Sequence, residues 1–68
     1  MSHFVADIRD AIDDGRLRER FWPREVRRAC PGWARTTYST FIPAHRADNP
    51  HGYVEYFNRN DDGSYTLL

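Results

Sequence analysis

Residues 23–42 read PREVRRACPGWARTTYSTFI, and this stretch decides the fold. The Pro31-Gly32 pair divides it into two segments with helical spacing of apolar residues. Pro23 suits the first position of a helix, where its missing N–H is not needed, and Glu25 suits the positive helix end. The inward-facing residues of this helix are Val26, Ala29 and Cys30. The stretch therefore predicts two helices joined by a short turn.

The segment after the turn predicts a third helix that begins near Trp33. Its inward residues recur at helical spacing and are Trp33, Thr37, Tyr38, Phe41 and Ile42. Its polar side carries Arg35, Thr36, Ser39 and Thr40. Pro43 breaks or kinks the helix near its C-terminal end. We expect the aromatic rings to belong to the core and the polar side to face solvent.

Working outward toward the N-terminus, the chain predicts an amphipathic first helix. Its apolar residues are Phe4, Val5, Ile8, Ala11 and Ile12. Ser2 is placed to cap this helix and Gly15 to end it. A charged connector over residues 16–20 follows, and Phe21-Trp22 is long enough for only one short extended segment.

Toward the C-terminus the pattern predicts a loop and then a β-hairpin. Residues 44–52 are loop-like, residues 53–58 are rich in β-formers, residues 60–63 signal a turn, and residues 64–68 alternate as a closing strand. We therefore expect one α+β domain over residues 1–68, a winged helix-turn-helix of three helices followed by a C-terminal β-hairpin.

Composition limits the function classes. The chain has 68 residues, 15% of them aromatic, so large rings must supply a small core. Its single cysteine, Cys30, excludes intrachain disulfides and a structural zinc cluster. Neither a membrane-spanning apolar run nor a signal-peptide pattern occurs, and we expect a cytoplasmic protein without membrane contact.

The formal net charge is zero but is divided along the chain. Residues 1–14 hold one arginine against four aspartates, residues 15–46 hold eight arginines against two glutamates, and residues 47–68 hold one arginine against four acids. The net charges of these segments are −3, +6 and −3. A basic middle thus lies between two acidic ends, and its arginines suit bidentate contacts to phosphates or base edges.

Motifs over residues 21–68 resemble a family of small bacterial helix-turn-helix domains found alone or beside restriction and modification proteins. The matching residues are Phe21, Pro23-Arg24-Glu25-Val26, Ala29-Cys30-Pro31-Gly32-Trp33, Thr37-Tyr38, Thr40-Phe41, Pro43, His45-Arg46, Asn49-Pro50, Phe57, Arg59, Gly63, Tyr65 and Leu67. The terminal pattern Phe-x-Arg-x-x-x-Gly-x-Tyr-x-Leu is also similar to the wing of the HARE-HTH winged helices. One departure is Trp22, which stands where such domains usually place a capping serine or threonine.

The third helix is the candidate DNA-reading element. We expect base contacts from Arg35, Thr36, Ser39 and Thr40, and phosphate contacts from Arg24, Arg27, Arg28 and Arg46. Double-stranded DNA is then the partner, in a small binding protein or accessory subunit of a bacterial or phage system, and a homodimer would enlarge its small interface. The competing interpretations are a merely solvated helix face and a surface on which Arg24 or Arg28 pairs with Glu25.

The acidic hairpin turn counts against contact between the wing and DNA. Asp61 and Asp62 at the hairpin turn would repel a phosphate backbone, although turn chemistry alone explains them. They favour a second hypothesis, in which the charge-segregated surface docks on another protein.

The side chains that could bind a metal or act as a nucleophile do not form a site pattern in the sequence. They are His3, His45, His51 and Cys30. Their spacing is not that of metal ligands, and Cys30 lies on a buried stripe, so we expect no metal, no cofactor and no enzymatic activity.

Overall fold

The computed structural model describes residues 2–68. Its first helix, α1, spans His3–Asp13, and the Ser2 side chain caps it by accepting a hydrogen bond from the Val5 N–H at 3.5 Å. Gly15 follows with a φ of 77°, a conformation that ends helices without strain only at glycine. The buried side chains of α1 are Phe4, Val5, Ile8 and Ala11. The predicted first helix is confirmed.

The second helix, α2, spans Pro23–Ala29 and begins as predicted at Pro23. Trp22 occupies the N-cap position, and its indole has no acceptor for the free N–H groups of the first turn. The Glu25 carboxylate instead accepts from the Trp22 backbone N–H at 3.0 Å. This bond forms one half of a capping box and compensates in part for the absent serine or threonine.

The third helix covers residues 35–44 and begins two residues later than predicted. Its middle, Thr37–Phe41, is π-helical, and its last turn, Ile42–Ala44, is α-helical. Pro43 has no N–H to donate into the preceding turn, and the helix ends one residue later. Tyr38 and Ile42 are buried as predicted, whereas Phe41 is only half-buried.

Trp33 lies in the turn before the third helix, so the prediction that it opens the helical stripe is wrong. Its indole N–H donates to Asp7 of α1 at 2.9 Å, and its backbone N–H donates to the Tyr38 hydroxyl at 3.2 Å. The same hydroxyl donates to the carbonyl of Cys30. Tyr38 thereby closes the turn between α2 and the third helix, and Asp7 fastens that turn to α1.

We expect Tyr38→Phe to lower the free energy of unfolding by about 1–3 kcal/mol, because it leaves the Cys30 carbonyl and the Trp33 N–H without their partner. Urea denaturation measures the change. Tyr56→Phe is the matched control, since Tyr56 is half-buried and its hydroxyl group takes part in none of the side-chain hydrogen bonds within residues 2–68. Equal stability of the Tyr38→Phe variant and the parent would contradict this role of the hydroxyl.

Three short antiparallel strands form one sheet in the order β1-β3-β2: β1 is Arg20–Phe21, β2 is Phe57–Arg59 and β3 is Tyr65–Leu67. The predicted hairpin of β2 and β3 is confirmed, with Asn58 opposite Thr66. The predicted strand over residues 53–58 is mostly wrong, because only its last two residues lie in β2. Pairing of β1 with β3 extends the sheet beyond the hairpin.

The protein is thus a compact α+β domain of three helices and a three-stranded antiparallel sheet. Phe21 and Phe57 from the sheet are fully buried, with ring centroids 6.2 Å apart. Phe4 of α1 lies edge-on to the Tyr38 ring at 5.7 Å and joins α1 to the third helix. Among residues 2–68, no helix has the length and apolar character needed to cross a membrane.

Candidate nucleic-acid interface

The four residues predicted to contact bases all lie exposed on the third helix. They are Arg35, Thr36, Ser39 and Thr40. The inward side of the same helix is fixed by the burial of Tyr38 and Ile42, so the helix cannot rotate without exposing them. The predicted exposure of this polar face is confirmed, and its contact with DNA stays a prediction.

The structure divides this polar face between two grooves. Arg35 and Ser39, four positions apart, line a cleft of about 190 Å³ against α2. Thr36 and Thr40, also four positions apart, line a more open groove of about 340 Å³ on the other side. Residues four apart lie above one another on a helix, which explains the pairing. The four side chains therefore form two stripes, not one.

Three arginines meet at the cleft between the two helices. Arg24 and Arg27 come from α2 and Arg35 from the third helix, with Pro23 and Tyr38 completing the lining. Arg24 lies over the indole ring of Trp22, 5.3 Å from its centroid, a cation–π contact that restrains the guanidinium. Trp22, the departure from the family pattern, thus positions an arginine beside the cleft.

None of these three arginines forms an ion pair with an acidic side chain within residues 2–68. The ion pairs there are Arg16–Asp14 at 3.2 Å, Arg18–Glu25 at 2.8 Å and Arg20–Asp62 at 4.0 Å. The hypothesis that Arg24 or Arg28 pairs with Glu25 is therefore wrong. Several guanidiniums of α2 remain free for an external anion.

Glu25 uses one carboxylate oxygen at the start of α2 and the other to pair with Arg18. One oxygen accepts from the Trp22 N–H, which turns the carboxylate toward the connector where Arg18 lies. The hydrogen bond from Arg18, followed by that from Trp22, holds the pKa of Glu25 below its usual range. The carboxylate therefore stays charged and engaged at neutral pH.

The two remaining predicted phosphate ligands lie apart from the cleft. Arg28 lines a separate groove of about 430 Å³ with Arg16 and Arg18. Arg46 is half-buried in the loop after the third helix, where its backbone bridges Phe57. Arg46 is not among the residues that line the cleft or either groove. The structure thus gathers Arg24, Arg27 and Arg35, and separates Arg28 and Arg46 from them.

The acidic hairpin turn carries one free carboxylate rather than two. Asp62 accepts from the Ser64 backbone N–H at 2.9 Å and from its hydroxyl, and these bonds lower the pKa of Asp62. Asp61 is exposed and forms no ion pair in the part of the chain that the structure describes. The Asp-x-Ser spacing is a turn signal, and it accounts for Asp62 structurally.

Sequence reasoning missed the aromatic side of the second groove. His45 and Tyr53 line it together with Thr36 and Thr40, whereas the sequence predicts Tyr53 in the first strand of the hairpin. Asn49 stabilises this region by donating its side-chain amide to the Ala44 carbonyl at 2.7 Å, at the C-terminal end of the third helix. The Asn49-Pro50 pair after the helix is the sequence feature that indicates such a cap.

The groups that carry metal or nucleophilic chemistry are not gathered. Within residues 2–68, no three His, Cys, Asp or Glu side chains form a group that could hold a metal ion. Cys30 is buried, and burial, followed by the nearby Asp7 charge, raises the pKa of its thiol. A raised pKa keeps the thiol protonated, so Cys30 acts here as a packing residue.

Comparison with known proteins finds no relative of this chain. No protein-family model, no curated protein and no solved structure matches the chain. The resemblance to small bacterial helix-turn-helix domains therefore stays a prediction from the sequence.

Proposed function

We propose that the chain is a small winged helix-turn-helix protein that binds double-stranded DNA through its third helix and α2. The observation that carries the proposal is the cleft at which Arg24, Arg27 and Arg35 meet without an acidic partner. The element order supports the winged arrangement, since β1 lies between α1 and α2 and the hairpin follows the third helix. The hairpin is then the wing.

Each stripe of the third helix has a distinct role in this proposal. Arg35 and Ser39 lie beside the α2 arginines, so they join them in holding phosphates at the cleft. Thr36 and Thr40 remain for base edges in the major groove, where hydroxyls contact several bases. Arg28 and Arg46 contact phosphates farther along the backbone. Positioning and reading are thereby assigned to different side chains.

Substitution separates these two roles. We expect Arg28→Ala to weaken binding to all duplexes alike and to reduce the slope of log K against log salt by about one unit. Thr36→Ala should instead change the preference among sequences, with a salt slope like that of the parent. Fluorescence anisotropy on a set of duplexes measures both, and Arg9→Ala on α1 is the control for loss of one exposed charge. Uniform effects of Thr36→Ala on every sequence would remove its reading role.

The exposed Asp61 favours a second candidate function, docking on a basic protein partner. If the wing lies beside DNA, Asp61→Asn should raise duplex affinity by up to about fivefold at low salt, since unit charges about 4 Å apart in water interact by about 1 kcal/mol. Asp61 is the better choice than Asp62, which the turn requires. Asp13→Asn, exposed at the end of α1, is the control. Unchanged duplex affinity, with slower association to a basic protein, would favour the docking function.

A further inference from the structure

An aromatic groove lies beside the proposed base-reading stripe of the third helix. Its lining includes three threonines, Thr36, Thr37 and Thr40, and three rings, those of Phe41, His45 and Tyr53. The groove is about 340 Å³ and wide open to solvent. No aspartate or glutamate is among its lining residues in the described part of the chain.

Three aromatic rings follow one another from the half-buried Phe41 to the surface. Phe41 and His45 are stacked, with centroids 4.0 Å apart and planes at 23°. The Tyr53 ring lies 5.3 Å from His45 and is tilted by 47° to it. Tyr53 is 53% exposed, so a large part of its ring meets solvent. Exposure of such a ring costs hydrophobic free energy that a stacked ligand would recover.

Hydrogen bonds hold these rings in place. The His45 Nδ1 lies 2.8 Å from the Val54 carbonyl, and because a carbonyl only accepts, Nδ1 donates this bond. The His45 carbonyl in turn accepts from the Tyr56 N–H at 2.8 Å. The loop that carries Tyr53 is thus tied to the end of the third helix.

We infer that this groove binds an unpaired nucleobase that stacks on the exposed ring of Tyr53 and presents its edge to Thr36 and Thr40. The inference rests on the proposed DNA function and adds a preference for DNA with a base outside the helix. A nucleobase matches the lining because it combines a flat π-face with a rim of hydrogen-bond donors and acceptors. An aliphatic peptide side chain has neither the flat face nor the polar rim.

The test compares three short duplexes of otherwise identical sequence: fully paired, with one bulged thymidine, and with one bulged abasic nucleotide. The abasic bulge has the same backbone distortion without the base, so it isolates stacking. We expect the parent to bind the thymidine bulge about fivefold or more tighter than the abasic bulge, since a base stacked on an aromatic side chain contributes about that factor or more.

Two substitutions at Tyr53 are a matched pair. Tyr53→Ala should remove the preference for the thymidine bulge while affinity for the paired duplex stays within about twofold. Tyr53→Phe retains the ring and should retain the preference. Circular dichroism checks that both variants fold, as the exposure of Tyr53 leads us to expect.

The outcomes separate this inference from the proposed function. Equal affinity of the parent for the two bulges, or a preference that survives Tyr53→Ala or is lost in Tyr53→Phe, would overturn the nucleobase site and leave duplex binding intact. Absence of binding to all three duplexes would overturn the DNA function together with the inference.

Discussion

Phe57→Ala is expected to lower the free energy of unfolding by about 3–5 kcal/mol, the range for a large aromatic ring removed from a core. Phe57 is fully buried and lies within 6.4 Å, centroid to centroid, of Phe21, Phe41 and Tyr65. It therefore joins the sheet to the third helix. Because proteins are stable by only about 0.05–0.15 kcal/mol per residue, this loss removes a large part of the free energy of unfolding of a 68-residue chain.

Urea denaturation with far-UV circular dichroism measures this effect. Phe57→Leu retains most of the volume and keeps the variant series interpretable if the alanine variant does not fold. Phe41→Ala is the control within the same cluster, and its smaller loss follows from its half-buried position. A Phe57→Ala protein as stable as the parent, or a larger loss for Phe41→Ala, would contradict the described core.

The second large effect is expected at the arginine cleft. Replacing Arg24, Arg27 and Arg35 together with glutamine should weaken duplex binding by about 100-fold at low salt, if each phosphate contact contributes about 1 kcal/mol. The slope of log K against log salt should become shallower by about 2.7 units, about 0.9 for each phosphate lost. All three side chains are exposed, so stability should be little affected.

The control for this triple variant is Arg9→Gln, which removes an exposed guanidinium from α1. Its effect on the salt slope should be much less than one unit. If the triple variant bound DNA with the affinity and salt slope of the parent, the cleft would have no part in DNA binding. The stability of both variants is checked by thermal unfolding.

Local signals made much of this fold predictable. The period of the apolar residues predicted α1. Pro23 marked the start of α2 because proline restricts the backbone to a helix-compatible φ, and Gly15 marked the end of α1 because glycine adopts conformations that other residues avoid. Pro31-Gly32 likewise marked the turn. Each of these features depends on neighbours within a few residues.

The features that sequence reasoning missed depend on distant contacts. A short extended segment is predicted at Phe21-Trp22, but its pairing with β3, more than 40 residues later, is not, and that pairing makes Arg20–Phe21 the strand β1. Trp33 is excluded from the third helix although its spacing fits, and the bond from its indole to Asp7 holds it in the turn. Residues 53–56 have β-forming side chains, but tertiary packing outweighs the intrinsic preference of such residues for strands. Their backbone instead meets the end of the third helix.

The candidate site was predictable only in part. Exposure of the polar face followed from the helical phase, since burial of Tyr38 and Ile42 turns Thr36, Ser39 and Thr40 toward solvent. The division of that face into an arginine cleft and an aromatic groove did not follow, because α2 and the loop around Tyr53 form the opposite walls. Such walls come from tertiary packing.

Binding of duplex DNA by the arginine-lined surface is tested most directly by titrating the parent protein onto random-sequence duplexes. The titration covers about 50 to 200 mM salt, a range over which phosphate contacts strongly affect affinity. Contacts from the five arginines predict measurable binding at about 50 mM and a slope of log K against log salt of about −4.5; these residues are Arg24, Arg27, Arg28, Arg35 and Arg46. Absence of binding at about 50 mM salt, or affinity independent of salt, would contradict the claim that this arginine-lined surface binds DNA.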